Sequence, residues 1–317
     1  MAGPSAQLRP YDSVLPYKRV EFSTYDSTTL RGNLYHGTNA PKQAPIVIFT
    51  HGIGLVKEQY LENWFRHFLQ AGYHVLTYDN RCFGDSDGLP RNHFNWVLQA
   101  EDFIDAVTYV CSLPEVNSDR VFGWGVAHSG GLIAIAAALD KRIAGIIMFL
   151  PCIDGAWDKS RWGEETWKAA QRHRYQGKLS DAESIPFWPL TDDQAAGVGG
   201  SVLSGDYVRD WSVVAQTLAK QGGNTSFTGR LTLASFWEDF NTRPTDWFAA
   251  IQAPVLWVMA TNDVVCGPLE FTRGWYDKLQ CPKEICVLDG EHLAQYFNPG
   301  FPKSVEAMLS FLGKHAA

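Results

Sequence analysis

Ser129 is the residue whose neighbours best equip it to act as a nucleophile. It lies in Val121-Phe-Gly-Trp-Gly-Val-Ala-His-Ser129-Gly-Gly-Leu, where an apolar strand runs through small–x–Ser–x–small (Ala127, His128, Ser129, Gly130, Gly131) into an alanine-rich stretch. A sharp strand-to-helix turn of this kind holds a serine hydroxyl in the open and strains the backbone, and small residues two positions either side let neighbouring chain pack close. The helix expected from Gly130 would direct its free N–H groups and positive dipole end toward a developing oxyanion. Acyl transfer needs two such donors. The Gly130 N–H is the first, and the loop His51-Gly52-Ile53-Gly54, directly after the apolar run ending at Thr50, offers the second from Ile53 or else from Gly54. His51 itself reads as structural.

A serine nucleophile needs a base, and the base needs an acid to orient it, in the chain order serine, acid, histidine. Asp263 follows the apolar run PVLWVMAT, and His292 follows EICVL. Both fall on the sheet edge that bears Ser129, where open α/β sheets place their ligands. Aspartate and histidine are ordinary loop residues when taken singly; their order and strand-end positions together make the triad Ser129, Asp263, His292. Asp154, after the sixth strand, is the competing acid. The turn should point the His128 ring away from the hydroxyl. Together with Gly54, Trp188 and Trp211, His128 is a candidate for contact with substrate.

These residues must be held by a regular scaffold, and the hydrophobic pattern supplies one. Arg19 to Tyr25 and Leu30 to His36 alternate like an edge hairpin, whereas Pro45 to Thr50 is a short continuous apolar run suited to a strand buried on both faces. Strands at His74 to Asp79, Arg120 to Val126 and Ile143 to Leu150 then alternate with helices at Glu58 to Ala71, Trp96 to Leu113 and Gly130 to Leu139. That alternation predicts an α/β fold with a doubly wound, mostly parallel sheet. It stops at Pro151 and returns at Pro254, with a helix near Leu269 to Leu279, a strand at Glu284 to Leu288 and a closing helix from Lys303 to Leu312. Residues 1–150 and 246–317 are therefore expected to form one catalytic domain, and 151–245 a mainly helical cap inserted after the sixth strand, without buried strands of its own. The tryptophans of this insertion either wall an acyl pocket or build the cap's own small core.

The net charge of −7 over 317 residues, with no long basic run, gives no reason to expect nucleic acid or an anionic membrane as partner. Met1 to Tyr17 lacks the apolar core of a signal peptide, and no window approaches the ~18 apolar residues of a membrane span. Six cysteines scattered without metal-ligand spacing are expected to be reduced, in a cytoplasmic protein.

His51-Gly-x-Gly with Val56-Lys57-Glu58, then Tyr78-Asp-Asn-Arg81-x-Phe-Gly-Asp-Ser-Asp-Gly88, then Ser129-Gly-Gly, resembles the α/β-hydrolases related to dienelactone hydrolases and X-Pro dipeptidyl peptidases. Within that group the chain is most similar to fungal enzymes of polyketide gene clusters that act as thiohydrolases or polyketide acyl transferases. The resemblance covers roughly Val20 to Leu150 and Pro254 to Phe311. It implies the α/β-hydrolase fold and a Ser/Asp/His triad, carried here by Ser129, Asp263 and His292, with no metal and no organic cofactor. Two departures fall near the site: Ala127-His128 replaces the usual small residue or serine–phenylalanine before the nucleophile, and Cys82 replaces a commoner glycine or histidine. Arg81, Asp85 and Asp87 read as structural ties of their loop.

The expected reaction is cleavage of a thioester, ester or lactone of a bulky, apolar, polyketide-like acyl group through an acyl-enzyme, resolved by water or an alcohol. The partner is a small-molecule acyl substrate, free or on a carrier protein. A carbon–carbon bond hydrolase of retro-Claisen type would use the same triad, and a non-hydrolytic cyclase or binding protein could be built on the same fold. No acidic pair is placed to hold the amine of an exopeptidase substrate.

Overall fold

The computed structural model describes residues 15–176, 183–198, 200–221, 223, 226–296 and 300–316. The polar lead-in, residues 1–14, lies outside these, as do Gly199 and Gly222 of the glycine clusters. The alternating edge segment folds as expected: β1 (Lys18–Ser23) buries only Val20 and Phe22 and pairs antiparallel with β2 (Thr29–Tyr35). The continuous apolar run becomes β3 (Ala44–Thr50), buried almost throughout. Helix α1 (Leu61–Gln70) starts later than the predicted Glu58. Lys57 instead reaches an ion cluster, its Nζ 2.8 Å from Glu58, 2.7 Å from Asp79 and 2.8 Å from Asp85, and Tyr60 turns the chain at φ 62° before the helix begins.

Strand β4 (His74–Tyr78) leads to α2 (Trp96–Cys111), whose Asn95 cap accepts the N–H groups of Val97 and Leu98 at 3.0 Å each. Then follow β5 (Val116–Val126), α3 (His128–Leu139) and β6 (Ile143–Phe149). The insertion holds α4 (Gly155–Trp162), α5 (Glu164–Tyr175), β7 (Ser184–Pro186), α6 (Asp192–Ala195), α7 (Asp206–Gln221), β8 (Arg230–Thr232) and α8 (Leu233–Asn241). The chain closes with β9 (Val255–Ala260), α9 (Leu269–Lys278), β10 (Lys283–Leu288) and α10 (Gly300–His315). The sheet order is β1-β2-β4-β3-β5-β6-β9-β10, parallel from β4 onward.

Two expectations need correction. The insertion does contain strands: β7 and β8 pair antiparallel, Ser184 opposite Thr232, in pieces of three residues, too short for an apolar run to register. Nor are all six cysteines reduced. Cys152 and Cys266 form a disulfide with Cα atoms 4.6 Å apart across 114 positions, while Cys82, Cys111, Cys281 and Cys286 are free. Cys152 follows β6 and Cys266 follows β9, so it is the pairing of those two strands that brings them together.

The core beneath the site is aromatic. Trp124 stacks on Phe49 at 4.7 Å and on Phe149 at 5.8 Å, with Trp64 5.3 Å away. Some of the insertion's tryptophans build its own core: Trp167 stacks on Trp237 at 5.3 Å. No helix among the described residues is long and apolar enough to cross a membrane.

Candidate active site

Strand β5 ends at Val126 and α3 begins at His128, which leaves Ala127 alone at the apex of the turn. Ala127 has φ 50° and ψ −120°, a region that a residue with a Cβ occupies at a cost of ~1–3 kcal/mol. A Cβ on Gly125 would run into the Ser129 carbonyl, so Gly125 and Ser129 are the small residues flanking the apex. The working frame is therefore Gly125-Val126-Ala127-His128-Ser129, two positions earlier than the one read around Ser129. This corrects the nucleophile assignment. Ser129 lies one step inside the helix, buried, with its hydroxyl donating to the His51 carbonyl. Two helical positions rotate it roughly 200° from the apex direction. It is Ala127 that lines the pocket beside His292. The sequence holds two overlapping small–x–x–x–small frames, and Gly125 was the signal for the correct one.

The donor assignment shifts with the frame. Gly130 N–H donates to the Ala127 carbonyl at 2.9 Å and is spent in the first helical turn, and a Cβ on Gly130 would lie 2.6 Å from Pro151 Cβ. The residue after the apex is His128, whose N–H opens α3, where a helix has no internal acceptor for it. Gly52, Ile53, Ala127 and His128 together border the pocket. The Ile53 carbonyl accepts from Trp188 Nε1 at 2.8 Å, which fixes this loop. Gly54, at φ 70°, sits 3.5 Å beneath Trp188 and Leu231, measured from its would-be Cβ.

Asp263 and His292 meet as their strand-end positions implied. His292 Nδ1 donates to Asp263 Oδ2 at 2.9 Å, leaving Nε2 as the basic nitrogen, and the His292 ring lines the pocket. Asp263 Oδ1 accepts the N–H groups of Val265 and Cys266 at 2.8 and 2.7 Å, so the disulfide loop also holds the acid. Asp154 is occupied elsewhere: it caps α4, accepting from the Ala156 N–H at 2.8 Å. Asp263, Cys266 and His292 gather within 4.8 Å, but the sulfur is committed to the disulfide, and the donor set does not suit a metal.

His51 is structural, its Nε2 accepting the Asn80 N–H at 3.1 Å and its Nδ1 2.9 Å from the Gly52 carbonyl. Burial keeps its ring neutral. Arg81 binds Asp102 and Asp26, and Asp87 binds Arg31 at 2.6 Å, which are the ties expected of that loop. Cys82 is buried, its thiol pushed up to about 11 by desolvation.

The His128 ring is locked rather than free to greet substrate. Its Nε2 stands 3.3 Å from Asp158 and 3.2 Å from Asp239, among the rings of Phe94, Trp96 and Trp162. Burial alone would lower its pKa, but the two carboxylates outweigh burial and hold the imidazolium up to about 9. Asp158 belongs to α4 and Asp239 to α8, so this cluster fastens the insertion onto the apex turn.

The pocket is walled by Trp162, Phe187, Trp188, Leu203, Val208 and Tyr296, and its lining also includes Arg161 beside the His128 imidazolium. Its open volume is about 20 Å³, room for roughly one water, so a bulky substrate must displace part of the wall. The Trp211 side chain lies outside the described residues. Arg161, Trp162 and Phe187 were not singled out from the sequence, because nothing in a helical insertion of unknown packing marks which aromatic faces inward.

Comparison with known proteins fits this architecture. Polyketide transferase claH of Penicillium crustosum is 29% identical over 309 residues, covering 93% of this chain and 96% of that one. A thiohydrolase of Eupenicillium brefeldianum is 28% identical over 287 residues, 89% of each chain. The crystal structure of the alpha/beta hydrolase GrgF from Penicillium sp. sh18 superposes with a TM-score of 0.77 at 27% identity, covering 95% of this chain and 99% of that one. The family model that matches spans residues 47–299, and on that match the chain belongs to the alpha/beta hydrolase family.

Proposed function

We propose that the protein uses His292, oriented by Asp263, as a general base on a carbonyl substrate in the aromatic pocket, without a covalent serine intermediate. The observation that carries this reading is Ala127 at the apex: a methyl group cannot attack a carbonyl, while the base, its acid and the backbone donors remain. His292 Nε2 takes a proton from the carbon beside a carbonyl, and the electron pair moves onto the oxygen. The N–H groups of His128 and Ile53 stabilise the enolate. The enolate carbon then attacks a second carbonyl of the same molecule, a carbon–carbon bond closes the ring, and His292 returns the proton to the new alkoxide. Atoms balance without an added reagent, which makes the enzyme a cyclase.

The relatives named polyketide transferase and thiohydrolase favour a polyketide-type substrate, in which two nearby carbonyls acidify the carbon between them. Room for about one water supports a second route. In it His292 takes a proton from water as the water oxygen adds to a thioester, ester or lactone carbonyl, and the same two donors hold the oxyanion; collapse then breaks the carbon–sulfur or carbon–oxygen bond, and His292 gives the proton to the leaving thiol or alcohol.

A 3-oxoacyl N-acetylcysteamine thioester in D₂O, followed by NMR and protein mass spectrometry, tests both. The cyclase reading expects the wild type to speed deuterium entry between the two carbonyls and His292→Gln to abolish it. Thioester loss without deuterium entry selects the water route. An acyl group found attached to Ser129 overturns the proposal.

A further inference from the structure

The geometry points to Arg161 as the residue that selects the substrate, by donating to a ketone or enol oxygen on an otherwise apolar molecule. This rests on the pocket beside His292 being the substrate site. Arg161 lies in the last turn of α4 and lines the same pocket as His292 and Ile53. Its side chain is 17% exposed, and its guanidinium stands 5.3 Å over the Trp162 ring. One N–H is spoken for, Nη2 to Asp158 at 3.3 Å, a long bond to a carboxylate that also serves His128. Its Nε is buried and has no hydrogen-bond partner among the described residues.

A guanidinium keeps its charge at any physiological pH, and a buried donor left unmatched is costly, so the site is incomplete without an acceptor. The charge count says what kind. His128 and Arg161 carry two positive charges against the two negative charges of Asp158 and Asp239, so the cluster has no net charge with which to draw in an anion. What Arg161 offers is a buried N–H without an acceptor among the described residues, on a residue that lines a largely apolar pocket. A neutral carbonyl or enol satisfies that donor without adding a charge to the cluster, and a plain hydrocarbon leaves it unmatched.

Three ligands of one shape test this: 4-phenylbutan-2-one, butylbenzene and 3-phenylpropanoate, with Kd measured by titration calorimetry. The ratio of ketone to hydrocarbon affinity, compared between proteins, cancels their different cost of leaving water. Arg161→Met should lower that ratio at least tenfold, and Arg161→Lys, which keeps a cation but loses the fork, should fall between. An unchanged ratio in Arg161→Met overturns the assignment. If that variant does not fold, a wild-type ratio in Arg161→Lys overturns it. A larger loss for 3-phenylpropanoate than for the ketone would make Arg161 an anion site and also contradict the inference. Failure of the nucleophile-free reading would show separately, as covalent labelling of Ser129, and would leave this ratio untouched.

Discussion

Stability should fall between pH 7 and 9.5 because the His128 imidazolium fastens the insertion to the apex turn. The ring is buried between Asp158 and Asp239 and titrates at about 9 in the folded protein, against ~6.5 in an unfolded chain. A folded pKa above the unfolded one contributes stability that is fully present below the unfolded value and lost as pH rises through the folded value. With 1.36 kcal/mol per unit, the interval from 6.5 to 9 is worth about 3 kcal/mol, of which about 2 kcal/mol disappears between pH 7 and 9.5. Removing the ring altogether, as in His128→Leu, leaves two buried carboxylates without their shared cation and should cost ~3–5 kcal/mol at pH 7. Equilibrium urea unfolding of both proteins at pH 6, 7, 8 and 9.5 measures this. The wild-type midpoint should drop through the alkaline range, and the drop should be missing from His128→Leu. Equal drops in the two proteins would refute the reasoning, since the loss would then come from other titrating groups.

Three further outcomes follow from the site. Unfolding without reductant should expose four titratable thiols, and reduction of Cys152–Cys266, which closes a loop across 114 positions, should lower stability by up to about 5 kcal/mol in urea titrations; six thiols without reductant would deny the bond. Ser129→Ala should keep turnover within about threefold and cost only ~1 kcal/mol, the worth of its bond to the His51 carbonyl, and a loss of 10³-fold or more would restore Ser129 as nucleophile. Asp263→Asn should slow deuterium entry by roughly 10²–10⁴-fold by favouring the wrong imidazole tautomer, while Asp154→Asn, which keeps an oxygen to cap α4 and loses only the charge facing Arg243, should leave the rate close to wild type; a reversed order would make Asp154 the orienting acid.

Much of the scaffold was legible because its signals are local. The apolar run of β3, the switch from strand to helix around Ala127, and the strand-end positions of Asp263 and His292 can all be read from short windows. The apex was misread because a serine in Ala-His-Ser-Gly-Gly satisfies the same small-residue rule as Gly-Val-Ala-His-Ser two positions earlier. Only the backbone decides between them, through the φ of Ala127 and the contact of Gly125 with Ser129. The disulfide, the His128 cluster and the inward face of Arg161 were hidden for a different reason. Each depends on which distant elements pack together: β6 beside β9, and α4 and α8 over the start of α3.

The central claim is that the apex carries no nucleophile in an otherwise assembled site. Intact-mass measurement after fluorophosphonate treatment, on wild type and on Ala127→Ser, tests it most directly. The account predicts no adduct on the wild type and a single adduct at position 127 in the variant, where the new hydroxyl would meet His292 and the two backbone donors. A wild-type adduct on Ser129, with no gain in the variant, would contradict it.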